Sequence, residues 1–169
     1  GAYTTWSSLG ATYDLESVQE MCSTGDSLDG DTCTPEEWAM FQTDLSDPRV
    51  VATIPLDGTI RRAWFGPSGE TTVRGPVLYF SPADSEGSQT QFDDLAPIDF
   101  RWVTLAGACH QSFANGGCSS LDTDEGFRIV SAMGLAFSRM VLLGDSGLQS
   151  LGLMNGDIEI SDVVSIHRR

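Results

Sequence analysis

The sequence predicts an α+β fold: short N-terminal helices followed by an antiparallel β-sheet, stabilised by disulfides. Three observations predict it. Helix-start signals cluster before Pro48, apolar alternation broken by turn residues dominates after it, and four cysteines fall in two close pairs. The 169 residues suffice for one domain with a core and not for two. Residues 1–169 are therefore read as a single extracytoplasmic globular domain, with a helical part at 1–48 and a β-rich part at 49–169. Apolar residues make up 40%, too many for a disordered chain, and the 18 glycines favour turns over long helices.

The first helix expected is 14–22, where Leu15, Val18 and Cys22 share a face and Asp14 caps the start. The second is 35–45. Thr34 is a capping residue, Pro35 sits at the first helical position and Glu37 lies three residues after the cap. Trp38, Phe41 and Leu45 follow at helical spacing, and Asp47-Pro48 ends the run.

Strands are expected at 49–54, 59–65, 76–80, 99–105, 127–132 and 137–143. A last one is expected at 157–166, where Ile158, Ile160, Val164 and Ile166 alternate onto one face. Asp57-Gly58, Gly66-Pro67-Ser68-Gly69, Asn115-Gly116-Gly117, Gly144-Asp145-Ser146-Gly147 and Asn155-Gly156-Asp157 read as the turns between them. Residues 83–97 are polar and acidic and read as a surface loop or flap.

Net charge is −15, and all nine basic residues are arginine. Phosphate contacts supply most nucleic-acid affinity, so this surface argues against nucleic acid and anionic lipid as partners. No apolar run approaches the roughly 20 residues a membrane span needs, and no signal peptide is visible. The start at Gly1-Ala2-Tyr3 fits a mature secreted protein, or a chain whose anchor was removed.

Cys22 and Cys33 bracket one polar glycine-bearing loop, and Cys109 and Cys118 bracket another. Zinc ligands usually come two to four residues apart, which these pairs exceed. Two local disulfides, Cys22–Cys33 and Cys109–Cys118, are expected, and with them an oxidising compartment.

No catalytic, cofactor or metal site is expected. Gly144-Asp145-Ser146-Gly147 is similar to the nucleophile loop of trypsin-like proteases, but neither His110 nor His167 is expected to activate Ser146. Asp26, Asp29 and Asp31 crowd one loop, and Asp122, Asp124 and Glu125 another. Calcium needs six to eight oxygens, and solvated acidic loops explain both clusters, with calcium at the first left open.

Two further resemblances bear on function, one short and one spread over residues 22–147. Residues 147–158, Gly147-Leu148 through Gly152-Leu153 and Asn155-Gly156-Asp157-Ile158, resemble the short helix and Gly-Asp turn of bacterial PDZ domains. Cys22-Ser23-Thr24, Asp29-Gly30-Asp31-Thr32-Cys33 and Trp38-Ala39-Met40-Phe41, with Val77 to Pro82 and Met140 to Leu143 before Ser146-Gly147, resemble minor pilin-like proteins. These are the GspH and FimT type subunits of type II secretion pseudopili and type IV pili. That resemblance implies a non-enzymatic assembly subunit whose β-rich head packs against other subunits of a filament or secretion complex. Such a head meets the membrane only through a hydrophobic N-terminal helix absent from this chain. It also implies that 137–143 and 157–166 are antiparallel strands. The alternative is a secreted or periplasmic interaction module, in which 148–152 is a helix.

Overall fold

The computed structural model describes residues 2–24, 32–58, 65, 72–85, 88–95, 98–114, 116–117 and 120–169, with the backbone alone of Ala2 and Asp94. Its elements are helices α1 (Ala2–Ser8), α2 (Leu15–Thr24) and α3 (Pro35–Phe41), strand β1 (Val77–Pro82), helix α4 (Ser88–Asp94) and strand β2 (Phe100–Leu105). A 3₁₀ turn at His110–Phe113, the long helix α5 (Thr123–Leu143), helix α6 (Leu148–Asn155) and strand β3 (Val164–Arg168) complete them. The α+β class holds. The expected strand at 59–65 lies almost wholly outside the described residues.

The Thr34 capping box forms as expected. Glu37 N–H donates to Thr34 Oγ1 at 3.2 Å, and Thr34 N–H donates to Glu37 Oε2 at 2.7 Å. The helix stops at Phe41 rather than 45, because Asp44 Oδ1 takes the Ser46 N–H at 2.9 Å and turns the chain. A Cys22–Cys33 disulfide joins α2 to the approach of α3. That link suits an oxidising environment.

The sheet runs β1-β2-β3. It is mixed: β2–β3 is antiparallel, as expected, but β1–β2 is parallel, with Phe80 opposite Val103. Parallel neighbours need a crossover, which corrects the reading of 83–97 as a plain loop. The crossover is α4, where Ser88, Gln91 and Leu95 beside it are buried. Side chains alternate across β1. Val77 and Tyr79 enter one core with Trp6, Val18, Phe100 and Trp102, whereas Leu78 and Phe80 enter a second with Val103, Ile129, Met133 and Phe137. Burial on both faces explains the unbroken apolar run Val77–Phe80.

The expected strand 49–54 is instead an edge segment held parallel to β1 by bridges at Thr53–Val77 and Leu56–Phe80. Thr53 N–H donates to Pro76 O, Phe80 N–H to Pro55 O and Asp57 N–H to Phe80 O. Pro55 has no N–H to complete the ladder between them, so a continuous strand does not form.

Residues 127–132 and 137–143 are not strands. They are one helix, α5, started by Asp122, whose carboxylate accepts from Glu125 N–H, and ended by Gly144 at φ +64°. Ile129, Met133, Ala136 and Phe137 recur at helical spacing and all face the sheet. Each large side chain so buried contributes about 1.5–3 kcal/mol. Among the described residues α5 is the helix long and apolar enough to cross a membrane, contrary to the sequence reading. Here its apolar side covers the sheet.

The expected strand 157–166 shortens to Val164–Arg168. Residues before it fold back on α6, where Ile158 N–H donates to Gly152 O at 3.0 Å. Ile158 packs on the bare backbone of Gly152, where a Cβ would meet Ile158 Cδ1 at 2.6 Å and push that side chain aside.

Candidate functional site

Two polar side chains far apart in sequence meet at the carboxyl ends of the parallel strands. Asp57 directly follows Leu56, the last residue bridged to β1, and His110 lies five residues beyond the end of β2. His110 Nδ1 and Asp57 Oδ2 are 2.8 Å apart, across 53 residues of sequence. In open parallel sheets this rim is where ligands bind.

The local structure holds each partner. Asp57 is the single non-glycine among the described residues with positive φ, +46°. A left-handed backbone costs a non-glycine residue on the order of 1 kcal/mol, aspartate less than most. Its N–H donates to Phe80 O at 2.8 Å, and the carbonyl of Gly58 accepts from the Trp6 indole at 2.9 Å. His110 opens the 3₁₀ turn. Ser112 within that turn is buried and its hydroxyl accepts from Cys109 N–H at 3.2 Å, while Phe113 packs on Phe80. Cys109 is disulfide-bonded; the expected partner, Cys118, lies outside the described residues.

The two exposures differ sharply: the Asp57 side chain is 15% exposed and the His110 side chain 69%. An ionised carboxylate on Nδ1 places the proton of a neutral ring there and leaves Nε2 with its lone pair free. A surface ion pair would be worth little and would need no strained, sheltered acid. An imidazole held this way keeps one tautomer and can take up a proton at Nε2. Asp84, at the end of β1, is exposed and hydrogen-bonds to neither residue.

Sequence reasoning passed over this pair. Asp57-Gly58 reads as a turn, and His110 reads as part of a disulfide loop that lacks the usual sequence around a catalytic histidine. The available signal was positional, because each residue follows an apolar run on a candidate strand. The residues singled out instead are dispersed. Ser146 is exposed in the α5–α6 connector, where Asp145 pairs with Arg139 at 2.8 Å and accepts from Gly147 N–H and the Ser150 hydroxyl. These three donors hold the Asp145 carboxyl below its usual range, the Gly147 N–H most of all. His167 stacks on Trp102, with ring centroids 4.6 Å apart. Asp122 caps α5 and Glu125 pairs with Arg128, so the second acidic cluster is spent on helix structure. Among the described residues no group of His, Cys, Asp and Glu could hold a metal, and Asp26, Asp29 and Asp31 lie outside them.

A second surface feature is apolar. Phe127, Leu135 and Leu142 form an exposed stripe on the side of α5 away from the sheet, and Leu148 on α6 is 89% exposed. Between the helices lies a groove of about 390 Å³, lined by Ala132, Leu135, Leu148 and Leu153 with Arg139 and Asp145 at one side. The 148–152 segment is helical, whereas 137–143 is not a strand.

A scan against protein-family models and searches of curated proteins and solved structures found no match to the chain.

Proposed function

We propose that this domain carries the acid–histidine half of a hydrolase active site, with Asp57 as the orienting acid and His110 as the general base. One observation carries the reading: a sheltered carboxylate 2.8 Å from Nδ1 of an open imidazole, at the carboxyl ends of the parallel pair β1–β2. Acid before histidine is also the chain order of these two groups in α/β-hydrolases, and here Asp57 follows the edge segment bridged parallel to β1 while His110 follows β2, the parallel partner of β1. His110 Nε2 would take the proton of a nucleophilic hydroxyl as its oxygen attacks a substrate carbonyl, and Asp57 would stabilise the imidazolium. The same proton would then pass to the leaving group. The hydroxyl is not among the described hydrogen-bond partners of His110. No cofactor is implied.

The test uses the full gene product and a panel of short-chain p-nitrophenyl esters. Asp57→Asn and His110→Ala should each lower turnover roughly 10³–10⁴-fold while the circular dichroism spectrum is unchanged. A fluorophosphonate probe should label the wild type and not His110→Ala. Full activity in either folded variant, or no turnover by the wild type, overturns the reading.

The non-enzymatic assembly role suggested by the pilin-like resemblance is the second reading. The exposed stripe Phe127–Leu135–Leu142 favours it, since apolar residues aligned on one solvent face mark contact surfaces.

A further inference from the structure

We propose that Trp6 is a positioning residue for the Asp57 carboxylate. The inference rests on the Asp57–His110 pair being the functional site. Trp6 is completely buried on α1, with its ring 6.4 Å from both Tyr79 and Phe100. A buried indole N–H needs an acceptor, and here the acceptor is the carbonyl of Gly58, 52 residues away. That carbonyl belongs to the residue directly after Asp57. On the other side, Asp57 N–H is fixed to Phe80 O. The left-handed turn at Asp57 is thus clamped at both ends, once by the β1 backbone and once by the Trp6 side chain.

The plain alternative is that Gly58 merely satisfies the indole. The strain decides between the two. A residue at φ +46° relaxes toward negative φ unless something holds it. Such relaxation rotates the Cα–Cβ bond and swings the carboxylate off the imidazole. The indole N–H therefore acts on His110 through Asp57, across one peptide, without touching the reacting atoms.

The experiment deletes the indole N–H. Trp6→Phe removes it with part of the ring. Benzothienylalanine at position 6, which keeps the bicyclic shape and has sulfur in place of N–H, serves if Trp6→Phe fails to fold. The primary readout is the His110 Nδ1–H resonance in ¹⁵N-labelled full gene product, with Asp57→Asn as reference. The wild type should show a downfield, slowly exchanging Nδ1–H that Asp57→Asn abolishes and the Trp6 variant weakens. Ester turnover should fall about 10–100-fold in the Trp6 variant at unchanged KM, as for a small misplacement of a catalytic group. A merely structural indole would change the melting temperature and leave the resonance intact. If Asp57→Asn abolishes the signal and the benzothienylalanine protein keeps it at full turnover, the role of Trp6 is overturned and the dyad stands. If the wild type lacks the signal, or Asp57→Asn leaves it unchanged, the dyad itself falls and this inference with it.

Discussion

The hydroxyls of Tyr79 and Ser88 lie 3.1 Å apart, both buried, and join β1 to its own crossover helix. Burial pushes the Tyr79 hydroxyl up from 10.0 to about 12, against the opposing hydrogen bond from Ser88. The folded group thus ionises later than the unfolded one. The stability this represents, about 2–3 kcal/mol, is fully present below pH 10 and is lost as pH rises toward about 12. Denaturant midpoints measured from pH 8 upward should fall through this window, and Tyr79→Phe should flatten the fall. A wild-type midpoint that stays level would contradict the burial of this hydroxyl.

Glu125 gives the acid counterpart. Arg128 first, and the Ser161 hydroxyl second, hold its carboxyl down at about 2 against an ordinary 4.5. Its contribution is present above 4.5 and is lost as pH falls toward about 2. The melting temperature should drop across that interval, more steeply in the wild type than in Glu125→Gln. The group is exposed, so the difference should shrink in about 0.5 M salt.

The Cys22–Cys33 link closes a short loop, with a sequence separation of 11. Replacing both cysteines by serine should lower stability by about 2–3 kcal/mol, read from urea unfolding. Peptide mapping without reduction should recover the two residues in one linked fragment. Finding Cys22 joined to Cys109 or Cys118 would refute the pairing.

Opposite faces of α5 should respond differently. Met133→Ala empties a fully buried site and should cost about 2–5 kcal/mol. Leu135→Ser, on the exposed stripe, should change stability by no more than about 0.5 kcal/mol. If the stripe is an assembly surface, Leu135→Ser should instead lower the apparent mass in light scattering at high protein concentration.

Much of the fold was legible where local chemistry is complete in itself. Thr34, Pro35 and Glu37 specify a helix start without tertiary help, and Val77–Phe80 and 99–105 carry strand residues in runs of the right length. The helix Thr123–Leu143 misled because its interior glycines, Gly126 and Gly134, and its β-branched residues suggest short strands. The period that matters, from Ile129 to Met133 to Phe137, is visible only over several turns. Parallel pairing was illegible because nothing in α4 is strongly apolar except Phe92. The functional pair was harder still. Asp57 looks like any turn aspartate, and its meeting with His110 exists only after β1 and β2 have aligned.

The sheet register also sets an order of assembly. Leu78 and Phe80 can pair with Arg101 and Val103 once one crossover has formed, but Leu105 pairs with Val164, beyond both α5 and α6. During synthesis the β1–β2 pair can therefore close while β3 is still unmade, leaving the outer edge of β2 without a partner strand. Contacts so distant in sequence carry a high loop-closure cost and form late. Arg169 N–H donates to Phe100 O, so the residue after β3 seals the near end of β2. A chain with β3 deleted would keep β1 and β2 paired and present one open, adhesive strand edge.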